Sequence, residues 1–125
     1  DVNKAYEFLK SKNVNIKTQP SESPDGRLHF YVEDPYGNLF EIVESGNWFK
    51  RKSFPNGGVS GVTIGVTDMD QSIALYKDIL GHQCVAYDES GTFDDLKGLA
   101  GGESNFRRVL LKAQTPCKGA FGNLL

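Results

Sequence analysis

The chain has 125 residues, of which 38% are hydrophobic and 24% charged, with a formal net charge of -2. Counting glycine and setting tyrosine aside gives an apolar share of about 45%, ordinary for a globular domain, and that balance excludes an intrinsically disordered chain. There is no basic excess to neutralise phosphates, so no nucleic-acid partner is expected, and no apolar run approaches the ~20 residues that cross a bilayer.

The chain opens at Asp1 rather than Met, and Met69 is its only methionine, which points to a processed chain or a fragment of a longer protein. Asp1 is a good N-cap, and Val2, Ala5, Phe8 and Leu9 recur at helical spacing, so a helix is expected from about residue 2 to residue 12, with Asn13 as its C-cap. KTQPSESPDGR carries two prolines and a Pro-Asp-Gly, and reads as a loop. LHFYVE and NLFEIVE read as two short strands, with DPYGN supplying the turn between them. SGNWFKRKSFPNGG is a polar, basic linker, in which Lys50, Arg51 and Lys52 read as a solvated run.

VSGVTIGV is expected to be a strand. DMDQSIALYKDILG is expected to be a helix, with Asp68 as cap, Gln71 completing a capping box and Gly81 as terminator. HQCVAYDES and FRRVLLKAQ read as strands, and GTFDDLKGLAGGESN between them as a Gly-rich loop without the Lys-Ser/Thr of a phosphate loop. His82 reads as a surface histidine. Cys84 and Cys117 lack any zinc-like spacing, and read as free thiols of a reducing, cytoplasmic compartment or as one disulfide. DVNKAYEFLKSKNV and DMDQSIALYKDILG share a layout, so the chain reads as the end of one repeat joined to the start of another.

Two stretches, FYVEDPYGNLFEIVE and VSGVTIGVTDMDQSIALYKDILG, resemble the vicinal oxygen chelate superfamily, which includes glyoxalase I, extradiol dioxygenases and the fosfomycin and bleomycin resistance proteins. The resemblance implies an α+β, glyoxalase-type fold of paired βαβββ modules around a cavity. It divides the chain into 1–45, a closing module without its first strand; 46–58, a linker; and 59–125, the opening module of a second pair. It also implies a homodimer, or further modules of the same protein, as partners.

Strand parity places Leu39, Glu41 and Val43 on one face, and Phe40 and Ile42 on the face that suits packing against the helix. Glu41 thus sits among apolar neighbours, where an unpaired carboxylate is costly. Either a metal ion offsets that cost, or Glu41 lies at an open edge and is solvated. In a symmetric hairpin Tyr31 lies opposite Glu41 with His29 on the same face, and a slip of one residue would scatter all three. The resemblance makes Glu41 a metal ligand and catalytic group. It places Tyr31 where fosfomycin-resistance relatives carry an active-site tyrosine, and leaves His29 outside the usual ligand positions, as a substrate-side candidate. In the second module Gly61 occupies a ligand place, and Leu110 or Leu111 stands where relatives often have a carboxylate or Gln. Thr63 and Gly65 share the face of Gly61. Arg107 or Arg108, on opposite faces of their strand, could meet an anionic substrate group, or form a structural ion pair. Thr63 and Arg107 complete the set of substrate-binding candidates.

The resemblance implies first a metal-dependent lyase or isomerase, in which Ni, Zn, Mn or Fe acts as a Lewis acid on the vicinal oxygens of a small-molecule substrate. A carboxylate alone does not hold such an ion, so further ligands are expected from an upstream strand or another subunit. The second reading is a metal-free drug- or metabolite-binding module, and the third a degenerate structural half of a four-module dioxygenase-like protein.

Overall fold

The computed structural model describes residues 1–46, 53–113 and 123–124. They form two compact units: one from residues 1–46, 53–57 and 92–105, the other from 58–91, 106–113 and 123–124. Residues 47–52 of the expected linker, Lys50, Arg51 and Lys52 among them, and Cys117 lie outside the described residues.

In the first unit, α1 (Val2–Ser11) begins where Asp1 accepts the Lys4 amide at 3.1 Å. It buries Val2 and Ala5. Its end forms a Schellman motif, in which Val14 donates to Leu9 O at 3.2 Å and Asn13 to Lys10 O at 3.1 Å. Asn13 is the left-handed residue just past the cap, with φ 56. It is one of the few residue types that adopt this conformation at low cost.

The chain then enters β1 (Asn15–Ile16) and β2 (Ser21–Glu22), which share one edge of β3 (Leu28–Glu33). The other edge of β3 pairs antiparallel with β4 (Leu39–Val43), with Tyr31 opposite Glu41 and His29 opposite Val43. The loop expected over KTQPSESPDGR therefore contains a short strand, β2. The hairpin turn is built on Asp34, whose carboxylate accepts from the Tyr36 and Asn38 amides and from Asn38 Nδ2. Those bonds, chiefly from Asn38, hold the Asp34 carboxyl below its ordinary pKa.

Between β1 and β2 the ladder is interrupted. Lys17 donates to Tyr31 O at 2.8 Å, and the Tyr31 amide finds Thr18 Oγ1 at 2.9 Å. A buried hydroxyl here takes the place of a backbone carbonyl. Thr18→Val keeps the shape and removes the acceptor, so it should cost about 1–3 kcal/mol in urea unfolding, the penalty of a buried amide left unsatisfied.

The even residues Phe30, Val32 and Ile42 face α1 and pack with Val2, Ala5, Tyr6 and Leu9. The rings of Tyr6 and Phe30 meet edge to face at 5.3 Å. The odd residues His29, Tyr31 and Glu41 take the opposite face, where residues 92–105 contribute a 3-10 turn at Asp94–Leu96 with Phe93, Asp95 and Leu96 buried. The segment expected to be wholly looped thus holds one helical turn. In sequence it falls within 59–125, yet it packs as part of the first unit.

The second unit runs β5 (Gly61–Val62), α2 (Met69–Ala74), β6 (Cys84–Gly91), β7 (Phe106–Lys112) and β8 (Asn123–Leu124). The sheet order is β5-β8-β7-β6, with β5 and β8 parallel. That is a βαβββ order of elements. The strand expected over VSGVTIGV shrinks to two residues, since glycines at 61 and 65 offer the pleat no side chain and cost more entropy to fix. Strand parity therefore does not carry on to Thr63 and Gly65.

Asp68 caps α2 by accepting the Gln71 amide at 2.9 Å, as expected. The helix then widens into a π turn over Leu75–Ile79, instead of continuing as one α-helix, before Gly81 ends it with φ 77. His82 is partly covered rather than a plain surface residue, edge-on to Tyr76 at 6.5 Å. Leu110 and Leu111 are buried.

Candidate functional site

Hairpin register and side-chain parity bring His29, Tyr31 and Glu41 together as expected. The His29 ring has no exposed surface. Its Nδ1 lies 2.6 Å from Glu41 Oε1, and its ring meets that of Tyr31 edge to face at 5.4 Å. Tyr31 is buried, and Glu41 keeps 13% of its side-chain surface open. The sequence offered a metal ion or solvent as the partner of the Glu41 carboxylate; the structure adds one it did not foresee, the imidazole of a neighbouring strand.

The opposite ring nitrogen, Nε2, lies 3.0 Å from Oδ2 of Asp95, whose side chain is 6% exposed. Sequence reading missed Asp95. It is one of two adjacent aspartates in a Gly-rich segment, and no periodicity distinguishes it from Asp94, which faces solvent and pairs with Lys97 at 2.8 Å. The flanking Phe93 and Leu96, both buried, were the one usable signal.

The two sides of the ring differ: Nδ1 shares a hydrogen bond with Glu41 Oε1 at 2.6 Å, while Nε2 meets Asp95 Oδ2 as an ion-pair contact at 3.0 Å. Glu41 is the member with the most open surface, so it is where that network can meet a small molecule.

Thr63 and Arg107 belong to the second unit. Thr63 is exposed and outside any strand. Arg107 is held at 2.8 Å by both oxygens of Asp88 and at 2.7 Å by Asp70. The Arg107 bonds hold the Asp88 carboxyl below its ordinary pKa. Its guanidinium is thus engaged in the ion-pair arrangement that the sequence left open. Arg108, on the other face, lies 5.7 Å over the Tyr87 ring.

The donor set does not fit a divalent ion. Nδ1 of His29 is bonded to Glu41 Oε1 at 2.6 Å and Nε2 is covered by Asp95 Oδ2 at 3.0 Å, so neither nitrogen is open to a metal. Among the described residues no group of three or more His, Cys, Asp or Glu side chains is arranged to hold one. Among the same residues no helix is long and apolar enough to cross a membrane.

Comparison with known families reaches the part of the chain that holds most of this cluster. Residues 1–42 match the family model of the Glyoxalase/Bleomycin resistance protein/Dioxygenase superfamily. The match bears out the resemblance over about a third of the chain and includes His29, Tyr31 and Glu41. No curated protein and no solved structure matches the chain.

Proposed function

We propose that this protein is a glyoxalase-like lyase or isomerase that moves a proton on a small substrate with vicinal oxygens, and that Glu41 is the group that moves it. The observation that supports this most is the anchoring of the Glu41 carboxylate on a wholly buried imidazole at 2.6 Å. A carboxylate so held is oriented without being closed off. It takes the proton from the hydroxyl-bearing carbon next to the carbonyl. The C–H electron pair becomes the C=C bond of an enediolate, and the carbonyl π pair moves to oxygen. Returning the proton to the former carbonyl carbon, while the hydroxyl proton passes to the former carbonyl oxygen, completes an isomerisation. Tyr31, on the same face, is the second candidate for contact with the substrate.

Ni, Zn, Mn or Fe, the ions that the resemblance implies, would need ligands that His29, Glu41 and Asp95 do not supply. A second copy, or further modules of the same protein, supplies the facing wall of the cavity. The setting we infer is cytoplasmic.

The test is solvent-deuterium incorporation at the C–H of dihydroxyacetone, acetoin and a hemithioacetal of a 2-oxoaldehyde, followed by NMR. Elemental analysis after incubation with each of the four metals runs alongside. Glu41→Gln should reduce exchange by about 100-fold or more, the usual contribution of a positioned general base. Exchange undiminished in the variant would sink the assignment. Binding of these probes without exchange would leave the metal-free binding module as the correct reading.

A further inference from the structure

Residues 92–105 lie outside the stretch that matches the family model, yet they deliver a carboxylate to the centre of the first unit. The turn at Asp94–Leu96 separates its two aspartates sharply: the Asp94 side chain is 89% exposed, and the Asp95 side chain 6%. Leu96 and Phe93 are buried on either side and fix the turn in place. Asp95 Oδ2 then meets His29 Nε2 at 3.0 Å, while Glu41 Oε1 meets Nδ1 at 2.6 Å. The hydrogen bond at Nδ1 and the ion-pair contact at Nε2 restrain the imidazole from opposite edges.

We propose that Asp95 is a positioning residue for Glu41, acting through His29. This rests on the reading that Glu41 moves the proton. Asp95 touches no substrate. It holds the ring from behind, so that Nδ1 presents its hydrogen to Glu41 and keeps that carboxylate aimed. A ring without this second anchor can rotate about its χ2, and the 2.6 Å bond that orients Glu41 is then no longer enforced. A carboxylate behind an imidazole plays this orienting part in unrelated sites as well.

Ring 15N–1H spectroscopy of the whole chain tests this without any substrate. The protein has two histidines, so His82→Gln leaves the signals of His29 alone. The His29 ring hydrogen shared with Glu41 should be far downfield and protected from solvent. Asp95→Asn should move or broaden it while the backbone amide spectrum stays native. Asp94→Asn, at the exposed neighbour, should leave it unchanged. On any probe that exchanges, Asp95→Asn should lower kcat about tenfold or more with KM unchanged.

A His29 signal that ignores Asp95→Asn in a folded protein overturns the proposal. So does a wild-type His29 ring whose hydrogens exchange with solvent as fast as those of His82, a measurement that stands even where the variant does not fold. A protein that exchanges no probe, but whose His29 signal follows Asp95, loses the proton-transfer reading and keeps the positioning one.

Discussion

His29→Ala should destabilise the protein by about 3–5 kcal/mol, which is the usual cost of removing one partner from a buried ion pair or network. The imidazole has no exposed surface and lies between two carboxylates at 2.6 and 3.0 Å. Its removal takes from Glu41 and Asp95 the ring that each of them meets and leaves a cavity in its place. The cavity itself adds a packing loss, but the stranded carboxylates dominate. The diagnostic is non-additivity. Adding Asp95→Asn to His29→Ala removes one of the stranded charges, so the double variant should be less destabilised than the sum of the two single ones, by about 1 kcal/mol or more. Urea unfolding of the four proteins closes this cycle. Strict additivity would mean that the three side chains are not energetically coupled.

Gly102→Ala should also destabilise strongly, by about 3 kcal/mol or more, in the upper range for overpacking a filled site. A β-carbon at this position would lie 2.0 Å from the carbonyl oxygen of Leu96, closer than any real contact. The obstacle is backbone, so no side chain can swing aside to relieve it. The strain reaches the site directly, because Leu96 belongs to the turn that carries Asp95. The same urea series reads the loss, and the His29 ring signal should move with it. A neighbouring glycine offers the control. Gly101 has φ 75, but open space around its β-position, so Gly101→Ala carries only the smaller cost of a left-handed conformation.

The hairpin was legible because its chemistry is local. DPYGN fixes the turn, the turn fixes the register, and the register places Tyr31 across from Glu41. Parity then assigns Phe30, Val32 and Ile42 to the helix side and His29 to the other. Helix α1 was legible for the same reason, down to the Asp1 cap and the left-handed Asn13. Elsewhere local signals fell short. The GVTIGV run has the β-branched residues of a strand, but pairs only at Gly61–Val62. The second helix has a cap and a terminator that read correctly, while the π turn between them has no signature in the residue pattern. Asp95 was beyond reach for a different reason. Its role is set by a contact with His29, far away in sequence, and residue type alone does not separate it from Asp94. Arg107 lay between these cases: its charge marked it, but only Asp88 and Asp70 in space say what the charge does.

The excursion of residues 92–105 also sets an order of events for the chain as it is made. The segment leaves β6 and returns into β7, both strands of the second unit, yet it folds with the first. Helix α1 and the hairpin contain their own contacts, and can form as soon as they emerge. The Glu41–His29 bond, spanning 12 residues, can form with them. Asp95 arrives much later, and a contact so distant in sequence must first meet the entropy of closing a long loop. Until then the nascent chain holds a half-made site, with an imidazole anchored at one nitrogen only. The turn at Asp94–Leu96 is the last piece of this cluster to dock, so the second nitrogen of His29 meets its carboxylate only once that turn has arrived.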